Sequence, residues 1–282
     1  GSRRKEALTN SWKENEPPYV GCYHRKNFMH RFYLPPEQCQ AATLSLSERE
    51  AHHASHVLRL RRGEQVTVLD GAGGELLCTV ADADRKNIQL SVVERKSILP
   101  LPCSITLLQA VPRGKTIESI IQKAVELGAR RIVPLLAERV VTQLDDEDAG
   151  KKRDKWQQVA VEAIKQCGAA WLPKIEAPTT IDQFCARKET FDLSLVGSLQ
   201  KERRHPRECL SGFQAKHGRL PQSVGVWIGP EGDFTPEELE AIQAAGALPI
   251  SLGRLVLRVE TAAIYCLSIL NYELNSAASN NS

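Results

Sequence analysis

Residues 226–263 read V-W-I-G-P-E-G-D-F-T-P-E-E-L-E-A-I-Q-A-A-G-A-L-P-I-S-L-G-R-L-V-L-R-V-E-T-A-A, and this stretch decides the fold. An apolar strand over Ser223–Ile228 ends in Gly229-Pro230-Glu231-Gly232, and a helix follows almost at once. Thr235 suits the N-cap, Pro236 the first helical position, and Glu238 stands three residues past the cap. That is a capping box, with proline where its missing N–H costs nothing. The helix is expected to stop at Gly246. A second apolar strand then ends at Leu252-Gly253, and a turn carrying Arg258 and Glu260 leads into an Ala/Leu-rich helix. Two strand-to-helix turns with glycine at the tip point to a ligand held by backbone groups at the carboxyl ends of parallel strands.

Working back toward the N-terminus, strands and helices alternate. Strands are expected over Ser104–Val111, Arg131–Leu136 and Phe191–Gly197, and helices over Thr116–Leu127 and Lys155–Gln166, closed by Gly128 and Gly168. Val/Ile/Leu-rich strands between amphipathic helices imply a parallel sheet covered on both faces. The segment around His205 and His217 is polar and reads as a mobile connection. Lys96–Pro102 reads as a linker, because two prolines disfavour helix and central strand alike.

Before the linker the pattern is mainly strand: His30–Leu34, Gln65–Leu69, Leu76–Ala81 and Ile88–Glu94, separated by Asp70–Gly74 and Asp82–Asn87. Such spacing suggests a small β-barrel. One helix, Ser47–Leu58, interrupts it, with Ser47 as N-cap and Glu50 completing a capping box. Its His52 and His56 have metal-ligand spacing but no evident third ligand, so a half-exposed helix face is the simpler reading and no metal is assigned. Residues 1–28 lack helical or strand periodicity and any apolar signal core; they are read as a leader or cloning-derived segment, with the native start at Met29, or else as a genuine extension.

The 282 residues suffice for one or two domains. The net charge of +3 lies in residues 1–28, and the remainder carries 31 charges of each sign, so global charge gives no argument for nucleic acid. Local patches do. Arg59, Arg61 and Arg62 precede a turn glycine and form a phosphate-binding candidate, against which a solvated charged turn weighs equally. Arg113-Gly114-Lys115-Thr116 sits where a P-loop would, but Gln109 replaces its first glycine and Pro112 removes an amide. A basic turn at a helix N-terminus remains, suited to an RNA phosphate through Arg113 and Lys115. No G-x-G-x-x-G follows any strand, and the eight scattered cysteines form no C-x-x-C. No apolar run reaches membrane-span length.

I-G-P-E-G-D-F-T-P-E-E (228–238) and L-G-R-L-V-L-R-V-E-T-A (252–262) resemble the RsmE family of ribosomal RNA methyltransferases, within the SPOUT superfamily. H-x-x-x-V-L-R-L (53–60), I-I-Q-K-A-V-E-L-G (120–128) with P-L-x-x-E-R (134–139), and E-A-I-K-Q-C-G (162–168) match in order, so the likeness runs from Met29 to about Leu274. The resemblance implies a PUA-like β-barrel over 29–98 and a SPOUT-type α/β domain with a C-terminal trefoil knot over 99–282. It implies S-adenosyl-L-methionine as methyl donor, a homodimer in the cytoplasm, no membrane, and methylation of N3 of a uridine in 16S ribosomal RNA. The donor is expected at Val196, Gly197, Ile228, Gly229, Pro230, Gly232, Leu252, Gly253 and Leu257. Arg258 is expected to stabilise the uracil anion or hold a phosphate, rather than merely pair with Glu260. Glu231 would orient a ribose or accept a proton, or else stabilise the following helix dipole. Thr261 is expected to cap the last helix, whose Ala263, Leu267, Leu270 and Leu274 form core or dimer interface. The chain departs from the family pattern at Asp233, where a glycine is usual, and at Leu255, where an arginine is usual, so that Arg254 would serve as the RNA contact. A SPOUT ribose 2′-O-methyltransferase and a non-catalytic RNA-binding protein are the alternatives.

Overall fold

The computed structural model describes residues 29–46, 48–84, 87–114, 116–140, 146–200 and 202–275. The leader 1–28, the cap residue Ser47 and Lys115 lie outside the described residues.

The first sheet contains β1 (Arg31–Tyr33), β2 (Thr43–Ser45), β3 (Gln65–Leu69), β4 (Gly74–Asp84) and β5 (Asn87–Ser97), in the order β1-β3-β4-β5-β2. Alternate residues Leu76, Cys78 and Val80 of β4 face Val66, Val68, Ile88 and Leu90 in one core, as period-2 patterning requires. The expected helix over 47–58 is broken in two. Helix α1 covers only Glu48–His52, and a π-helical turn continues it over His53–Val57. Ala51 of α1 and Ala54 of the turn are fully buried, and two residues past the turn Arg59 takes φ +54°. Strand β5 runs on to Ser97, so the linker starts later than the two prolines suggested.

The second sheet is parallel throughout. It contains β6 (Ser104–Ala110), β7 (Ala129–Leu136), β8 (Lys174–Ile175), β9 (Thr179–Thr180), β10 (Leu193–Gly197), β11 (Ser223–Ile228) and β12 (Ala247–Ile250). Its order is β12-β10-β11-β6-β7-β8, with β9 beside β7. Between the strands run α2 (Thr116–Glu126), α3 (Asp146–Cys167), α4 (Ile181–Ala186), α5 (Pro206–His217), α6 (Pro236–Ala244) and α7 (Val259–Asn275). Ile105, Leu107, Val224 and Val226 meet α2, α3 and α7 on one face. Leu108, Val133, Val196 and Trp227 meet α4 and α6 on the other. Both faces are dry, which is why these strands read as continuous apolar runs.

Helix α5 replaces the mobile connection expected around His205 and His217. His205 Nδ1 accepts the Arg207 N–H as N-cap, and Gly218, at φ +66°, ends the helix. The sequence hid it because, past Pro206 at the first position, its buried face is only Cys209, Leu210 and Phe213 on an otherwise polar segment. Helix α3 likewise begins well before Lys155, since its charged first turns carry no apolar stripe. Helix α7 buries Ala263, Leu267, Leu270 and Leu274 in the chain's own core. It begins at Val259, so Thr261 stands inside its first turn and does not cap it.

Candidate functional site

Parallel pairing aligns the carboxyl ends of four strands. Ile228 stands beside Gln109, Val196 beside Trp227, and Gly197 beside Ile250. Just beyond them opens a cleft of about 460 Å³, walled by Gly197, Ile228 to Glu231, the 252–258 loop and the first turn of α7. Of the nine residues expected to hold a donor, Gly197, Ile228, Gly229, Pro230, Leu252, Gly253 and Leu257 line it. Val196 does not: strand alternation turns its side chain into the opposite core, with Trp227. Gly232 also lies off the wall, where its carbonyl accepts a hydrogen bond from Arg139 Nη1.

The turn after β11 is held from several sides. Asp233 N–H donates to the Pro230 carbonyl at 3.0 Å, closing the turn. Glu231 Oε1 accepts the Arg113 N–H at 3.2 Å, which brings the basic turn before α2 to the cleft edge. The predicted capping box is formed in full: Thr235 Oγ1 accepts Glu238 N–H, and Glu238 Oε2 accepts Thr235 N–H. Glu238 Oε1 also accepts the Glu138 N–H at 2.8 Å, tying the exit of β7 to this turn. Asp233 adopts φ +63°, the left-handed region that favours glycine. Aspartate is among the few non-glycine residues that tolerate it, and its Oδ1 accepts the Phe234 N–H at 2.9 Å.

The loop after β12 is built otherwise. Gly253 takes φ +117° with open space where a Cβ would stand. Leu255 and Val256 are 79% and 77% exposed. Arg258 lines the cleft mouth, exposed, and among the described residues no ion pair joins it to Glu260. Arg254 is exposed but does not line the cleft, while Leu255 does. Arg203 also lines it and donates from Nη1 to the Ser198 carbonyl at 3.1 Å. Sequence reasoning missed Arg203 because it lies in an irregular connection with no spacing signal. Ala262 was missed too, although its i+3 relation to the buried Val259 offered a clue.

Arg59, Arg61 and Arg62 are exposed on the first sheet's side of the molecule and do not line the cleft. The failed P-loop has a structural explanation: Gln109 is fully buried and donates Nε2 to the Ala110 carbonyl, so no phosphate cradle forms there. The cleft itself offers glycine-flanked backbone, apolar walls, and charges of both signs at the rim (Arg203, Arg258, Glu231, Glu260). This suits an amphiphilic, zwitterionic ligand better than a polyphosphate.

Comparison with known proteins agrees. Residues 99–271 match the RNA methyltransferase domain family, and 46–93 match the RNA methyltransferase PUA domain family. The fold and cleft are therefore those of an RNA methyltransferase. The ribosomal RNA small subunit methyltransferase E of Synechocystis is 35% identical, covering 88% of this chain and 78% of its own length. That of Bacillus subtilis is 31% identical, covering 87% and 97%. A solved Legionella pneumophila protein in complex with the bound cofactor SAM superposes with TM-score 0.77 at 32% identity, covering 87% of this chain and 98% of its own. The Neisseria gonorrhoeae ribosomal RNA small subunit methyltransferase E, bound to S-adenosyl methionine, gives 0.76 at 25% identity, covering 87% and 98%. The chain belongs to the ribosomal RNA small subunit methyltransferase E family.

Proposed function

We propose that this protein transfers a methyl group from S-adenosyl-L-methionine to N3 of a uridine in the 16S RNA of the small ribosomal subunit. The observation that carries the reading is the cleft at the carboxyl edge of the parallel sheet, in a chain whose relatives are named for that RNA and whose solved neighbours hold that cofactor. In this reading residues 29–98 form a PUA-like barrel that binds RNA, and 99–282 form the SPOUT methyltransferase domain. A trefoil knot is supported by the path of the chain. After β10, Arg204 N–H donates to the Pro249 carbonyl, and Ser251 N–H donates back to Arg204. The chain then leaves edge strand β12 and returns as α7 beneath β6 and β11, beside α2. A homodimer is supported by the exposed Leu255 and Val256 at the cleft and Tyr272 on α7. Among the described residues no helix is long and apolar enough to cross a membrane, and the substrate assigns the protein to the cytoplasm.

When bound, adenosylmethionine supplies an electrophilic methyl group. The chain's residues do the rest. The backbone at Gly197, Ile228 to Pro230 and Leu252 to Gly253 would hold the donor, and Leu257 would close an apolar wall over it. Uracil N3 carries a proton and lies on the pairing edge, so the base must enter unpaired and pass that proton to an acceptor, a role open to the Glu231 carboxylate at the cleft rim. Arg258, at the mouth and free of Glu260, stabilises the resulting imide anion, the kind of developing charge that a fixed cation favours most. Glu231 is committed to the Arg113 amide, so it braces the RNA-facing turn at Arg113 as well as presenting a carboxylate at the rim. Arg113, Lys115, Arg254 and the Arg59–Arg62 cluster supply phosphate contacts. Mass spectrometry of 16S RNA nucleosides from cells lacking the protein tests the assignment: loss of one 3-methyluridine is expected, and an unchanged level overturns it.

A further inference from the structure

Two adjacent arginines at the start of β7 have different fates. Arg131 lies between Glu176 and Glu189 and donates Nε to Thr106 Oγ1 at 3.3 Å. Arg130 has no carboxylate partner among the described residues. Its guanidinium is half-buried and lies over the Trp171 ring, 4.2 Å from the centroid. Its one hydrogen-bond acceptor among the described residues is the Leu172 carbonyl, at a long 3.5 Å. Burial lowers its pKa, the sign of a cation withdrawn from water without compensation. An incoming anion relieves such a charge.

The surroundings are concave and fixed. A groove of about 510 Å³ runs along the seam between the two sheets, from the Gly71-Ala72 turn past Trp171 to the amino ends of β6 and β11. Trp171 is clamped: its Nε1 donates to the Ile98 carbonyl at 2.9 Å, and its backbone forms a bridge with Ala72. Gly73 sits so close that a Cβ there would lie 2.7 Å from the indole. The ring is thus a rigid backing that holds the Arg130 guanidinium in place. At the groove's rim stands Lys174, its side chain 75% exposed and 3.8 Å from Glu176. Arg130, Arg131 and Lys174 line the groove against one carboxylate, Glu189, which already bonds Arg131. Arg130 is thus the cation without a carboxylate partner among the described residues, while Lys174 has only a long contact to Glu176, which Arg131 and Arg187 share.

This groove is at the opposite edge of the sheet from the methyl-transfer cleft. The seven residues of β6 separate the two edges by roughly 20 Å at the usual rise per residue. We propose that the groove is a second RNA-binding site, in which Arg130 and Lys174 hold backbone phosphates of the substrate RNA away from the target nucleotide. The inference rests on the RNA methyltransferase reading. A free nucleotide is a poorer occupant, since the glycine-rich turn at the groove spends its Ala72, Gly73 and Gly74 amides on Asp70 Oδ1 and the Ala170 carbonyl rather than offering them to a phosphate.

The test uses the full chain and isolated 16S ribosomal RNA, with binding measured across a salt series. Lys174→Gln alters an exposed side chain and leaves the fold intact; Arg130→Gln is combined with it, and Lys151→Gln on α3 serves as control. The double variant is expected to bind RNA roughly 10-fold more weakly, and its plot of log affinity against log salt to be shallower by about 2, one unit for each lost phosphate contact. Adenosylmethionine affinity and the Lys151→Gln control should not change. Wild-type RNA binding that both Lys174→Gln and the double variant match in strength and salt slope overturns the groove assignment alone. A wild-type chain that binds adenosylmethionine but no RNA overturns the RNA methyltransferase reading, and this site with it.

Discussion

The two glycine turns that wall the cleft look alike in sequence and are built in opposite ways. The turn after β11 is anchored by Arg113, by Arg139, by its own capping box and, through Glu238, by the exit of β7. The loop after β12 has open space around Gly253 and exposes Leu255 and Val256. Its internal ties are long: Gly253 N–H reaches Ser251 Oγ at 3.4 Å. One wall is finished by the fold, while the other offers apolar surface for a ligand, an RNA or a second copy to cover. A site that must admit a nucleotide and release it gains from this asymmetry, because the anchored half sets the geometry and the open half has few contacts to break on adjusting.

That contrast can be broken from either side. The largest effect is expected from valine at the two glycines. At Gly229 a Cβ would lie 3.1 Å from Asp233 Oδ1 and 3.3 Å from Phe234, so Gly229→Val should abolish adenosylmethionine binding and also lower stability. At Gly253 a Cβ meets nothing, but φ +117° disfavours any side chain, so Gly253→Val should weaken binding by shifting the loop, with a smaller drop in melting temperature than Gly229→Val. Calorimetry and thermal melts read the pair, and equal loss of stability in both would refute the anchored/open distinction. Next comes Arg258→Ala, expected to lower methyl transfer about 100-fold with adenosylmethionine affinity retained. Undiminished turnover removes Arg258 from the chemistry. The smallest effect is expected from Thr235→Ala, which deletes half of the capping box and should cost about 1 kcal/mol. Denaturant unfolding would show it, and a value near zero would mean that the long-range ties alone hold the turn.

Much of this was legible before any coordinates. Strand β11, the Thr235 cap with its Glu238 partner, and the strand–helix alternation are local. They follow from side-chain periodicity and from which residues satisfy free amides at a helix start. Seven of the nine residues expected to hold the donor line the cleft, because glycine turns at strand ends mark backbone that a ligand can approach. Val196 stands off the cleft wall for an equally local reason, since side chains alternate between the two faces along a strand. Helix α5 was missed because three buried apolar residues give a weak stripe, and its formation depends on packing beside the sheet. The left-handed φ of Asp233 was not legible in the sequence, since it is imposed by the turn that closes on the Pro230 carbonyl.

By itself, then, the sequence determined the alternation of elements, the placement of the two turns, and the chemistry available at their tips. It could do so because hydrogen-bond capping, backbone strain and apolar periodicity act within a few residues. The tertiary structure alone decided that the ends of β10, β11 and β12 converge, that Arg203 joins them, and that Arg130 is stranded on Trp171 while Arg131 is fully paired. Those outcomes depend on strand order and register, which join residues far apart in the chain.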